Sequence, residues 1–140
     1  MTMGISLYYT ARRQHGLSDS ERDAVEHVLT EANEKLVARL NRNLPRWKED
    51  GTVPSSIEDA SQICEGLHLH LSDAPDVILD GSSKVSHGSC GMEPLMEQVE
   101  YYTQCALPRL RQALPGAAWW VHLDDHDLTW DEENGEYSLS

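Results

Sequence analysis

Three residues near the end of the chain have the types and the spacing of a metal site. His122, Asp124 and His126 occupy alternate positions, so an extended strand would place all three side chains on one side. Imidazole and carboxylate groups are suitable ligands for zinc, manganese or iron. We expect a set of exposed sheet histidines with no cofactor. The alternative is a weakly binding divalent-metal site, for example for Zn²⁺.

A loop that holds a thiol, an imidazole and a hydroxyl is the candidate for nucleophilic catalysis. His87, Ser89 and Cys90 lie together just before a predicted helix, and a cysteine near a helix N-terminus can have a lowered pKa. Nucleophilic catalysis also needs a base held rigidly in hydrogen-bond reach, whereas glycines interrupt this loop. The loop also lacks the Gly-Lys-Ser/Thr ending of a phosphate-binding loop. We therefore expect ordinary loop residues and no catalytic residue here.

The C-terminal part of the chain carries a run of carboxylates that would attract a basic partner. An EF-hand would need a central glycine among its alternating aspartates, and this run does not have one in that place. Two interpretations remain: a solvated hairpin, or a docking edge for a basic protein, whose association such charge would accelerate. The residues of this acidic edge are Asp125, Asp127, Asp131, Glu132 and Glu133.

The overall charge excludes several classes of partner. The chain has 140 residues, with 24 Asp and Glu against 11 Lys and Arg, and a formal net charge of −13. Nucleic acids and anionic membranes repel such a chain unless its basic residues cluster, so neither is an expected partner. The N-terminus lacks the pattern of a signal peptide, and no run approaches the roughly 20 apolar residues that span a bilayer. With three irregularly spaced cysteines, the sequence predicts a cytoplasmic protein of one domain, residues 1–140.

Periodicity predicts the first strand and the first helix. Residues 5–11 alternate between apolar and polar, which is typical of a strand. Ser18 and Glu21 match a capping box, and an apolar stripe at helical spacing follows them as far as Leu40. Pro45 is expected to end this helix, because proline cannot donate a hydrogen bond to the preceding turn.

The rest of the chain predicts three more strands, a second helix and a hairpin. The predicted segments are strands at 64–71, from 77 towards 85, and at 118–123, a helix at 93–114, and a return strand at 136–139. Pro108 lies inside the second helix and predicts a kink or a break there. The Asn134-Gly135 pair is a strong hairpin-turn signal.

This order of elements predicts an α+β chain with a ferredoxin-like βαββαβ sandwich and an added C-terminal hairpin. In that fold two helices cover one face of an antiparallel sheet, whose strands stand in the spatial order fourth, first, third, second. The other face is open, and here it is predicted to carry Tyr8, His68, His70, Trp120 and His122. The second and fourth strands would be opposite edges, about 14 Å apart, so His68 and His122 would not share one metal within a monomer.

Two classes of function fit these features. The first is a non-enzymatic interaction protein, of inhibitor or regulatory type, that uses the open face and the acidic hairpin against a basic partner. The second is a dimer of the α+β barrel type that binds a small molecule or a metal, or acts on it, through the open-face histidines and aromatic residues. A homodimer would cover the open face in either case. A domain without any site is the remaining alternative.

Overall fold

Five short strands form the main sheet, and two form a separate hairpin. The computed structural model describes residues 4–138. The main sheet has the order β2-β3-β1-β4-β5, and every neighbouring pair is antiparallel. The strands are β1 (Ser6–Arg13), β2 (Leu69–Leu71), β3 (Asp76–Lys84), β4 (Ala118–Leu123) and β5 (His126–Asp127), with β6 (Thr129–Asp131) and β7 (Glu136–Ser138) in the hairpin.

Strand β1 shows why this sheet has one covered face and one open face. Leu7, Tyr9 and Ala11 are fully buried, whereas Tyr8 between them is 40% exposed. Successive side chains of a strand point to opposite faces, so the period of two in the sequence places three apolar side chains against the helices. The alternation predicted for this strand is confirmed.

The first helix, α1 (Asp19–Glu49), begins where the sequence predicts and ends later than predicted. The Ser18 side chain accepts from the Glu21 backbone amide, and the Glu21 side chain accepts from the Ser18 amide, which completes the capping box. The prediction that Pro45 ends the helix is wrong. Pro45 is exposed, and the buried Leu44 and Trp47 continue the apolar stripe past it. Burial of these two side chains offsets the roughly 3 kcal/mol that an internal proline costs.

The second helical region of the chain contains a π-helical turn next to Pro108. It consists of α2 (Met92–Tyr101), the π-helical segment Tyr102–Ala106 and α3 (Leu107–Ala113). Pro108 stands in the first turn of α3. A proline ring clashes with the carbonyl four residues earlier, here Gln104, and the wider π turn accommodates that conflict. The irregularity predicted from Pro108 is present, one turn before the proline itself.

The second predicted strand is shorter than expected. Residues 64–68 lie outside β2, and Gly66 has a positive φ of 77°. The Tyr9 hydroxyl accepts from the His68 backbone amide at 3.0 Å, so a side chain replaces part of the strand ladder at this point. The prediction of a strand from residue 64 is therefore wrong, although its last three residues do pair with β3.

The structure confirms an α+β chain with an antiparallel sheet, two helical regions and a C-terminal hairpin. One unpredicted strand, β5, extends the sheet beside β4. The hairpin packs on the π-helical turn and α3 and does not continue the main sheet. Its predicted return strand is found at Glu136–Ser138, and Leu139 lies outside the described residues. No helix within residues 4–138 has the length and apolar character needed to cross a membrane.

Candidate functional site

The outward-facing surface of the main sheet is here called the open face. At its centre, cross-strand pairing arranges the side chains in two rows. Directly paired residues of an antiparallel sheet share a face. One row contains Trp120, Thr10, Asp80 and His70, and the next contains His122, Tyr8 and Ser82. Trp120 is 55% exposed, so no element of the described chain covers this part of the sheet.

Three aromatic rings form a stack on the open face. The rings of Tyr8 and His122 lie 4.9 Å apart between centroids at an angle of 14°, and those of Trp120 and His122 lie 4.2 Å apart at 25°. Tyr8 is the direct cross-strand partner of His122, and Trp120 lies two residues before it on β4. The sheet register therefore brings together three of the five residues predicted for this face.

His122 is held in one orientation by its own strand end. Its Nδ1 lies 2.7 Å from the carbonyl oxygen of Asp124. A carbonyl only accepts, so Nδ1 carries a proton and donates it. In the neutral ring the Nε2 atom is then unprotonated and can accept a hydrogen bond from a partner.

The other two predicted residues, His68 and His70, lie at the far edge of the sheet. Both are exposed. His70 pairs with Asp80 on β3, and β1 separates β3 from β4. The ring stack and these histidines are therefore opposite ends of one surface and do not form a compact site.

The predicted metal set of His122, Asp124 and His126 rested on an extended strand, and that strand ends in a turn. Asp124 has a φ of 49° and begins the turn between β4 and β5. His126 pairs with Leu123, so its side chain leaves the sheet on the face opposite to His122. Asp124 Oδ1 accepts from the Ser6 amide at 3.0 Å. In residues 4–138 no group of three or more His, Cys, Asp or Glu side chains is arranged to hold a metal ion.

The acidic edge is divided between two places. Asp125 and Asp127 belong to the β4–β5 turn and the sheet edge, whereas Asp131, Glu132 and Glu133 belong to the β6–β7 hairpin. The Asn134 side chain and backbone donate to Asp131 and lower the pKa of its carboxyl. The edge is therefore two separate acidic patches, of which only the first borders the ring stack.

The thiol loop contains a Cys–His contact without activation of the thiol. Cys90 Sγ lies 3.8 Å from His87 Nδ1, and burial raises the pKa of the Cys90 thiol. Burial also raises the pKa of Cys64, to about 11. A nucleophilic cysteine needs a lowered pKa, so neither thiol has the environment of a catalytic one.

Sequence reasoning missed two tryptophan–carboxylate hydrogen bonds in the C-terminal part of the chain, and a third that joins Trp47 of α1 to Glu93 of α2. Trp120 Nε1 donates to Asp127 at 2.8 Å, and Trp130 Nε1 donates to Glu132 at 2.7 Å. The second pair is only two residues apart and was visible in the sequence as a local pattern. The first depends on the turn at Asp124 that folds β5 back beside β4, and no glycine or proline marks that turn.

The ring stack of the open face is an exposed surface, with Trp120 55% and Tyr8 40% exposed. Five pockets of the described residues are lined by other side chains, and none includes Tyr8, His68, His70, Trp120 or His122. Small-molecule sites are usually concave, so this geometry suits a macromolecular partner better. No protein-family model matches the chain, and the searches of curated proteins and of solved structures found no match either.

Proposed function

We propose that this chain is a non-enzymatic interaction protein, of inhibitor or regulatory type, that binds a basic protein through its open face. The observation that carries the proposal is the exposed stack of Tyr8, His122 and Trp120 on an uncovered sheet. Tryptophan and tyrosine are the residues most enriched among interface anchors. An aromatic surface without a pocket is suited to contact and not to catalysis.

The choice of a basic partner rests on charge. The chain has a formal net charge of −13. The exposed Asp127 borders the ring stack, the exposed Asp80 lies in the row of Trp120, and the exposed Asp125 lies in the turn before β5. Such a field raises the rate of encounter with a cationic protein and disfavours an anionic one. A second copy of the same chain carries the same charge, so we rank a homodimer below a basic partner. The expected location is the cytoplasm.

The ferredoxin-like arrangement is part of this proposal. It is supported by the position of β1 between β3 and β4, and by the connection of β1 to β2, and of β3 to β4, through helices. That arrangement leaves one sheet face without helices. The proposed binding surface is this face.

Site-specific cross-linking tests the proposed function. A photoreactive p-benzoylphenylalanine replaces Thr10, which lies on the open face beside Trp120, and in a control variant it replaces the exposed Glu34 of α1. In extracts of cells that make the protein, we expect the Thr10 position alone to cross-link a polypeptide of basic isoelectric point. The product should disappear in a Tyr8→Ala, Trp120→Ala background and weaken above about 0.5 M salt, where the Debye length falls to a few ångströms.

Native mass spectrometry of the purified protein tests the alternative function. A dimer that retains a small-molecule mass would favour the α+β barrel type of ligand-binding protein or enzyme. Cross-linking of Thr10 only to a second copy of the chain would likewise replace the basic partner by a homodimer. Equal products from the Thr10 and Glu34 positions would contradict a binding role for the open face.

A further inference from the structure

The two tryptophan–carboxylate pairs in the C-terminal part of the chain differ in what lies on the indole ring. At Trp130, the Nε1 donates to Glu132, and the guanidinium carbon of Arg111 lies 4.3 Å from the ring centroid. At Trp120, the Nε1 donates to Asp127, and His122 covers one side of the ring. The ring contacts of arginine in the described chain involve Arg39 and Arg111 only, so Trp120 has no such cation.

We propose that the exposed face of Trp120, with Asp127 at its edge, binds an arginine side chain of the partner. This inference rests on the proposed function and specifies what the open face recognises. The Trp130–Glu132 pair provides the internal precedent, because there the guanidinium of Arg111 lies over the indole ring and donates to the Tyr137 hydroxyl at 3.1 Å. Trp120 and Asp127 supply the indole and the carboxylate, and Trp120 remains 55% exposed.

The chemistry of the site favours guanidinium over ammonium. A guanidinium is planar and weakly hydrated, so it stacks on an indole ring while its N–H groups donate to a carboxylate. Asp127 supplies that carboxylate at the indole edge. A lysine ammonium is a compact, strongly hydrated charge and loses more hydration in the same place.

The basic residues of the open face itself do not occupy this position. Arg12 lies diagonally from Trp120 in the register, and its Nη1 is directed to Asp76 at 3.8 Å. Lys84 pairs with Ser6, beyond Tyr8 on the far side of the stack. Asp80 lies in the same row as Trp120, two strands away, where it accepts from Thr10 at 3.1 Å. Asp127 is therefore the charged group in direct contact with the Trp120 ring.

Three capped hexapeptides, of arginine, lysine and citrulline, test the inference by titration into the ¹⁵N-labelled protein. The readout is the indole N–H signal of Trp120, identified by its absence in Trp120→Phe, and the Trp130 indole signal is the internal control. We expect the arginine peptide to shift the Trp120 signal and to bind about two- to fivefold more tightly than the lysine peptide, as an exposed cation–π contact implies. The uncharged citrulline peptide should not bind.

Two variants localise the effect. Trp120→Leu removes the ring and Asp127→Asn removes the charge, and each should abolish the preference for arginine over lysine. Because Trp120→Leu also removes the indole signal, binding to this variant is followed through backbone amide signals of the open face, such as that of Thr10. Equal affinity for the two basic peptides, or a preference that survives Trp120→Leu, would overturn the inference. A basic partner cross-linked through Thr10 without any arginine preference would leave the proposed function intact and refute the arginine site. An arginine preference at Trp120 without a cross-linked protein would support the arginine site and contradict the proposed function.

Discussion

Arg13 and Glu21 form a two-point ion pair between the end of β1 and the first turn of α1. Arg13 Nη1 donates to Glu21 Oε2 at 2.8 Å, and Arg13 Nη2 donates to Glu21 Oε1. The remaining Arg13 bonds go to backbone carbonyls of His15, Gly16 and Pro115. With only 3% of its side chain exposed, Arg13 joins the strand, the helix start and the loop before β4.

Replacement of Arg13 by Met should destabilise the protein by about 3 kcal/mol, because it leaves a carboxylate and three carbonyls without their donor. The free energy of unfolding in urea at pH 7 measures this change. Arg13→Lys retains the charge but not the planar guanidinium that donates to both Glu21 oxygens. Its loss of unfolding free energy should therefore be smaller than that of Arg13→Met. A loss below about 0.5 kcal/mol for Arg13→Met would show that the pair is only a surface contact.

Acid should remove the contribution of Glu21. The hydrogen bond from Arg13, followed by the Ser18 amide, lowers the pKa of Glu21 from 4.5 to about 2 in the folded protein. Above pH 4.5 the carboxylate is charged in both states and its stabilisation is complete. Between pH 4.5 and 2 the unfolded chain binds a proton that the folded chain does not, so stability falls with pH.

The Glu21→Gln variant isolates this effect, because glutamine can still complete the capping box. Urea unfolding from pH 7 to 2 should show a deficit of the variant relative to the natural protein that shrinks below pH 4.5. Glu34→Gln is the control, because Glu34 is exposed on α1 and an exposed surface substitution changes stability little. A deficit for Glu21→Gln that is constant over this range would contradict the assignment.

Local patterns predicted those elements whose boundaries are set by their own residues. The Ser18–Glu21 capping box marks the start of α1, and the alternation of apolar and polar residues marks β1. Strand β4 has the predicted bounds, Ala118–Leu123. In each case the deciding contacts are a few residues apart in sequence, or follow directly from a period of two.

Long-range contacts decided the elements that the sequence did not predict. Trp47 is fully buried and donates to Glu93 at 2.8 Å, so packing on α2 carries α1 past Pro45. The Tyr9 hydroxyl binds the backbone at His68, 59 residues away, and shortens β2. The Trp120–Asp127 pair exists only because Asp124 adopts a left-handed conformation, which aspartate tolerates but seldom signals.

The buried Tyr9 hydroxyl should contribute more to stability than the exposed Tyr8 hydroxyl. Ser83 Oγ donates its proton to the Gly66 carbonyl at 2.5 Å, so Tyr9 is the donor in the 2.9 Å bond to Ser83. Tyr9→Phe leaves the His68 amide and Ser83 Oγ without this partner and should cost about 1–3 kcal/mol in urea unfolding. Tyr8→Phe is the matched control and should change the free energy by less than about 0.5 kcal/mol. Equal losses would contradict the network.

Substitution of Trp130 and of Trp120 should separate a structural role from a binding role. Trp130 packs edge-on against Tyr137, with ring centroids 4.9 Å apart, and under Arg111, so Trp130→Ala should cost about 2 kcal/mol by loosening the hairpin from α3. Trp120 is largely exposed, and Trp120→Ala should cost less than about 1 kcal/mol. Urea unfolding measures both variants, and loss of the preference for the arginine peptide over the lysine peptide in Trp120→Ala, with near-natural stability, would assign that ring to recognition. If Trp120→Ala were the more destabilising change, the ring stack would instead belong to the structural core of the sheet.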